Sequence, residues 1–137
     1  MLVKSELIGI RDSNPGDINF ILATWLRGLK YGNDWFQMID PDIYFSIYQS
    51  AIEAILAKPN ITVKVACLKD DPEVVVGYAV YANQRLDWVF VKKAWRGIGI
   101  AKSLIPDDIK TVSHITAVGK KILHKHQGVK FNPFSFN

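Results

Sequence analysis

Residues 86–104 read LDWVFVKKAWRGIGIAKSL, and the order of residue types within them decides the fold. Trp88, Val89, Phe90 and Val91 form an apolar run rich in strand formers and too short to cross a membrane. Lys92 and Lys93 end it. Arg96, Gly97, Ile98, Gly99, Ile100 and Ala101 then make a small-residue turn, after which Lys102, Ser103 and Leu104 continue as a helix. A strand, a turn and a helix in this order present backbone N–H groups to an anion. The first helical turn holds no internal acceptors for those groups, and the helix dipole adds positive charge there. Gly97 and Gly99 carry no side chain that would hold a phosphate away from the backbone.

Three phosphate-binding patterns compete for this turn. The dinucleotide fingerprint G-x-G-x-x-G starts at Gly97 and Gly99 but meets Lys102 where its third glycine belongs. A Walker A loop ending at Lys102-Ser103 needs glycines where Arg96 and Ala101 stand. The pattern Q/R-x-x-G-x-G/A is met in full by Arg96, Gly99 and Ala101, five residues after a strand that ends at Val91. That pattern is an acyl-coenzyme A signature, and the chain here resembles the GNAT (GCN5-related N-acetyltransferase) superfamily. The resemblance implies an α/β (α+β) fold, with a mixed central sheet of about six strands flanked by about four helices. It also implies acetyl-CoA, or another acyl-CoA, as the cofactor.

Composition sets the frame. At 137 residues, 49% hydrophobic and 22% charged, the chain has the size and balance of one folded domain spanning 1–137. The single cysteine, Cys67, excludes an internal disulfide and lies in an apolar run, where a buried thiol is expected rather than a nucleophile. Lys4 and Glu6 interrupt the N-terminus before any long apolar stretch, so no signal peptide is expected, and no window is long enough for a membrane helix. A reducing, cytoplasmic setting follows as the expectation. Net charge is +4, distributed unevenly: from Arg85 onward there are 10 Lys or Arg against 3 Asp or Glu. A cofactor with several phosphates would account for that asymmetry, and so would nucleic acid.

The rest of the chain supplies alternating elements. A first strand is expected over 7–11, then a turn in which Asn14 caps and Pro15 opens a helix. Ile18, Ile21, Leu22, Trp25, Leu26 and Leu29 recur at helical spacing, and Gly32 closes that helix. Residues 31–41 read as a loop. Asp40-Pro41-Asp42 starts a second helix, with Ile43, Ile47, Ile52, Ile55 and Leu56 as its expected buried set. Residues 61–81 read as a hairpin, and Asn83-Gln84 turns the chain into the central strand. Pro106 stops the helix after the signature early. A fifth strand is expected over 111–117, a short basic helix over 118–127 capped by Gly128, and a last strand over 129–131.

The resemblance assigns roles residue by residue. Backbone groups of Phe90 and Val91 would hold the pantetheine arm and polarise the thioester. Backbone N–H groups of Gly97, Ile98, Gly99, Ile100 and Ala101 would take the pyrophosphate, with Arg96 and Lys102 adding charge. Asp87 stands nine positions before the signature arginine, where the family often places an acidic base. Between Leu86 and Trp88 it would be desolvated and its proton affinity raised; a strand-edge aspartate paired with a lysine is the other reading. His124 stands where the family often uses a tyrosine as acid, four residues before Gly128; a surface histidine is the alternative. Trp35, Phe36, Tyr44 and Tyr48 are acceptor-side candidates, or simply pack the helical pair on the sheet. His114 is a further polar group on the fifth strand. No metal-ligand spacing is present.

The implied activity is transfer of an acyl group, most simply acetyl, from its CoA thioester to an amine of a small molecule or protein. Two other classes fit the same scaffold. One is nucleic-acid base modification similar to the phage Mom family, which the basic C-terminal half would suit. The other is a non-catalytic binding or structural module. The shortened third helix and compact C-terminus look like those of small GNAT-like proteins of tailed bacteriophages, which would place the chain in host cytoplasm. Acceptor identity and oligomeric state are open at this level.

Overall fold

The computed structural model describes residues 3–123, 125–126 and 128–134. Its sheet starts as an antiparallel meander. β1 (Ile8–Asp12), β2 (Thr62–Leu68), β3 (Asp71–Ala82) and β4 (Arg85–Val91) pair in chain order, each antiparallel to the last. Two tight turns make this possible. Leu68 lies opposite Asp71 across Lys69-Asp70, and Asn83 takes a left-handed φ of 53° between β3 and β4, which asparagine adopts more readily than most residues. β5 (Thr111–Val112) and β6 (Lys130–Phe131) then add in parallel, completing a mixed six-stranded sheet.

Helices cover both faces. α1 (Ile18–Tyr31) buries Ile21, Trp25, Leu26 and Leu29 on one face of the sheet, alongside α3 (Pro41–Leu56). α4 (Ile100–Leu104) covers the other face with Ile100 and Leu104. The expected loop at 31–41 contains a further turn of helix, α2 (Asp34–Gln37), so with α5 (Ala117–Leu123) there are five α-helices among the described residues. At the entry to α1, the Asp17 carboxylate receives Arg11 Nη1 and Nη2 at 2.8 and 2.9 Å and the Asn14 N–H at 2.8 Å. This one buried acid ties the end of β1 to the start of the helix.

Three expectations need correction. Ile43 and Ile47 are exposed on α3, and Tyr44 is buried instead, donating its hydroxyl to Leu26 O at 2.6 Å. The fifth strand is only two residues long and ends before Ser113. The helix expected at 118–127 starts one residue earlier and is assigned only to Leu123. No helix among the described residues is long and apolar enough to cross a membrane.

Candidate functional site

The site begins where β4 and β5 part. Their parallel pairing covers only Arg85–Thr111 and Leu86–Val112, and the Ser113 N–H to Leu86 O bond at 3.0 Å is its last rung. Beyond it, β4 from Trp88 to Val91 has no strand partner on that side among the described residues. The cause lies in β4 itself. It advances from Leu86 to Trp88 while β3 moves only from Tyr81 to Val80, so Asp87 is the extra residue of a bulge. Bulges bend and twist the strand that carries them.

At the far end of this open edge stands the glycine turn. Gly97 and Gly99 have φ of 82° and 88°, and a Cβ built on either would meet nothing within 4 Å. Glycine is required here by backbone conformation, and the space above it is open. Gly99 leads into α4, whose first N–H groups have no acceptor within the helix. Ile100 is buried in the core and Ile98 packs against it, so their side chains anchor the turn. Arg96 donates Nε to Val91 O at 2.8 Å. The signature arginine therefore binds the turn back onto β4, a role that sequence reasoning did not assign to it. Lys102 is exposed. Lys92 lies 5.2 Å from the Phe20 ring, beside Phe90.

A groove of about 360 Å³ opens between α1 and the end of β4, lined by Thr24, Arg27, Gly28, Tyr31, Gly32 and Phe90. Two glycines in α1 and at its end shape it. A Cβ on Gly28 would come within 3.0 Å of the Trp88 ring, and one on Gly32 within 2.6 Å of the Thr116 methyl. Gly32 also accepts the Ala117 N–H at 2.8 Å, while Asn33 donates to Ile115 O at 2.9 Å. The segment after β5 is thereby drawn across to the end of α1. The lining residues of α1 were missed in the sequence. Their signal was a glycine inside a helix, which costs up to about 1 kcal/mol relative to alanine and marks a close approach.

The aromatic candidates lie elsewhere, and none of the four lines this groove. Tyr44 is a core residue whose committed hydroxyl and burial, the latter raising its pKa, remove it from contact with an acceptor. Phe36 and Tyr48 pack edge to face, 5.2 Å between centroids. Trp35 is 65% exposed and leans on Phe36. Beneath them, the buried Lys30 ammonium donates to Phe36 O at 3.0 Å and Ile39 O at 2.8 Å, fixing the α2 loop against α1.

Asp87 has charged and polar partners. It is fully buried, as expected, but not in apolar surroundings. Arg85 Nε and Nη2 reach its two oxygens at 2.8 and 3.1 Å, and Ser113 Oγ donates to Oδ1 at 2.6 Å. Three donors occupy its two oxygens, and the side chain has no exposed surface. Ser113 Oγ in turn lies 2.9 Å from His114 Nδ1, and the His114 ring stands edge-on to Trp25. Trp25 stacks on Trp88 with an interplanar angle of 4°. His124 lies outside the described residues.

The fold is shared with known structures. A candidate acetyl transferase from Pyrococcus furiosus is similar over 91% of this chain and 80% of its own, with a TM-score of 0.59 at 16% identity. A candidate GNAT-family acetyltransferase from Staphylococcus aureus is similar over 69% of this chain and 82% of its own, with a TM-score of 0.50 at 13% identity. The chain has the GNAT fold. Against the apo form of YjaB from Escherichia coli the similarity is partial, spanning 71% of this chain and 60% of that one at 22% identity and a TM-score of 0.49. No protein-family model and no curated protein matches the sequence. The residues at the glycine turn and the strand edge fit an acyl-CoA. The open space over Gly97 and Gly99 suits a pyrophosphate, and the free β4 edge suits an extended amide-bearing arm.

Proposed function

We propose that the protein is an acyl-CoA-dependent N-acyltransferase. The observation that carries this is the continuity of three features: the left-handed glycine turn, the edge of β4 that no described strand covers, and the α1 groove that meets that edge at Phe90. In this reading the turn and the first N–H groups of α4 bind the pyrophosphate. The β4 edge pairs with the pantetheine amides as a further strand would. Phe90 marks the junction between donor and acceptor. Lys92 and Lys102 add charge around the donor's phosphates, and acetyl is the simplest acyl group.

The groove also bears on the acceptor. Of its described lining residues Arg27 alone is charged, and Tyr31 and Phe90 supply aromatic surface. Such a groove suits a primary amine that also carries an aromatic ring or a carboxylate, and it disfavours polycations. Phe36 and Tyr48 then support the loop above the acceptor rather than contacting it.

Calorimetric titration with acetyl-CoA, with coenzyme A and NADH as comparisons, tests the reading. Saturable binding of the two coenzyme A species without NADH is expected. Binding of neither would sink the acyltransferase proposal, and steeply salt-dependent DNA binding in its place would turn the reading toward base modification.

A further inference from the structure

We propose that two copies of this chain associate reciprocally, the acidic face of α2 and the start of α3 on one copy seating on the basic face of α5 on the other. Charge marks the two faces. Residues 31–57 contain four acidic residues and no Lys or Arg, whereas residues 109–137 contain five Lys and no acidic residue. Apolar surface marks the same two segments. Of the exposed large hydrophobic side chains among the described residues, only Val3, Ile10 and Val74 lie outside them.

On the acidic face, Trp35 of α2, Met38 just after it, and Ile43 and Ile47, one turn apart on α3, are all more than half exposed. Asp34, Asp40 and Asp42 are exposed among them. On the basic face, Val118 and Ile122 stand one turn apart on α5, again more than half exposed. Lys120, Lys121 and Lys125 are exposed beside them. None of these aspartates and lysines is in an ion pair among the described residues. Single exposed apolar residues are ordinary, but a group of large ones rimmed by charge marks an interaction surface.

Charge also decides the occupant. Two acidic faces repel one another, as do two basic ones, so each face is complementary to the other kind. This chain carries both, side by side. Ala117, the first residue of α5, donates its N–H to Gly32 O at 2.8 Å, and Asn33, the residue before α2, donates Nδ2 to Ile115 O at 2.9 Å. Adjacent faces of opposite charge are self-complementary about a two-fold axis, which closes the assembly at two copies. Apolar contact supplies the attraction, and the aspartates and lysines set the register. Tyr31 is exposed at the same end of α1 and lines the α1 groove, so the partner copy would lie at the rim of that groove. The association needs no ligand and stands apart from the acyltransfer reading.

Sedimentation velocity of the full chain, before and after nuclease treatment, tests it. Wild type should reach twice the 15.5 kDa chain mass, with a dissociation constant that rises with salt. Asp34→Lys with Asp42→Lys reverses the acidic face, and Lys120→Glu with Lys121→Glu reverses the basic one. Each variant alone should dimerise at least about tenfold more weakly. An equimolar mixture of the two should restore the dimer, because the two reversed faces then meet each other and so do the two unaltered ones. A merely structural role for these side chains would give no rescue on mixing. A wild type that stays monomeric over its soluble range overturns the proposal, as does a dimer indifferent to both reversals. Weakened variants that remain monomeric when mixed overturn the reciprocal contact. Should a variant fail to fold, a wild-type dimer unmoved by salt still overturns the charge pairing. A dimer lost on nuclease treatment assigns the basic face to nucleic acid and overturns the proposal too.

Discussion

Replacing Gly99 by aspartate and, separately, by asparagine separates the two things this glycine does. Its φ of 88° is left-handed, and the place of its missing Cβ is open. Any L-residue there bears a conformational cost of about 1–2 kcal/mol, with Asn and Asp at the tolerant end. Both variants should therefore melt a few degrees lower, on the scale of about 3–6 °C per kcal/mol for a domain of this size. They are nearly isosteric, so that loss is shared and cancels between them.

What differs is one negative charge beside the proposed pyrophosphate. For a carboxylate and a phosphate charge roughly 5 Å apart, an effective dielectric between that of water and about 20 gives a repulsion of about 1–3 kcal/mol. Gly99→Asp should accordingly bind acetyl-CoA about 5- to 150-fold more weakly than Gly99→Asn. Calorimetry at low salt reads the gap. Near 1 M ionic strength, where the Debye length falls to about 3 Å, the gap should shrink. Equal affinities for the two variants at low salt would refute the placement of phosphate over this turn, whatever their stability.

The other predictions concern the supports of the site. Asp87→Asn removes the carboxylate that neutralises Arg85 in a buried pair and should cost about 3–5 kcal/mol, read as a lowered urea midpoint; an unchanged midpoint would deny the clamp. Asp17 is held below the ordinary carboxylate range, first by hydrogen bonds from Arg11, with burial opposing. A depressed folded pKa gives stability that is present above the unfolded value near about 3.9 and lost as pH falls through the folded one. Asp17→Asn should therefore flatten the acid limb of stability against pH below about 4, and an unaltered limb would assign it to other acids. Gly32→Ala puts a methyl 2.5 Å from Gly28 O and 2.6 Å from Thr116; it should cost about 1–3 kcal/mol by overpacking, measured by thermal melting. Arg27→Glu should shift acceptor preference from carboxylate-bearing aromatic amines toward spermidine in a coupled thiol-release assay; an unshifted ranking would remove Arg27 from the acceptor site.

Local order was legible in the chain and tertiary choice was not. The strand, glycine turn and short helix of 86–104 follow from residue types a few positions apart. So does the Arg96-Gly99-Ala101 pattern that points to a phosphate-bearing donor. On α3 the sequence offers two apolar stripes at helical spacing, one through Ile43 and Ile47, the other through Tyr44, Tyr48, Ile52 and Ile55. Aliphatic residues look like the better core. Tyr44 is buried because its hydroxyl reaches Leu26 O, a partner 18 residues away on another helix. The Arg85–Asp87 pair was closer to view, since residues two apart share a face of a strand. Ser113 lies 26 residues further on, and only the parallel pairing of β4 with β5 brings it there.

That pairing explains why a buried carboxylate sits in the middle of the sheet. The bulge at Asp87 lies where β4 and β5 part, and the same residue's side chain bridges the two strands there through Ser113. Burying an ion there carries a desolvation cost of several kcal/mol, offset only because Arg85 and Ser113 satisfy its oxygens. An apolar residue would fill the space at lower cost but would not fix where the strands separate. Past that bridge, β4 has no strand partner on this side among the described residues, and folded proteins ordinarily cover or blunt such an edge. Here it is short, ends in Lys92 and Lys93, and has its last carbonyl capped by Arg96. Those devices limit pairing with another protein chain while leaving the stretch beside Phe90 open to a narrow, extended ligand. An edge bordered by a buried ion pair and guarded at its end is what the proposed strand-like acyl donor would use.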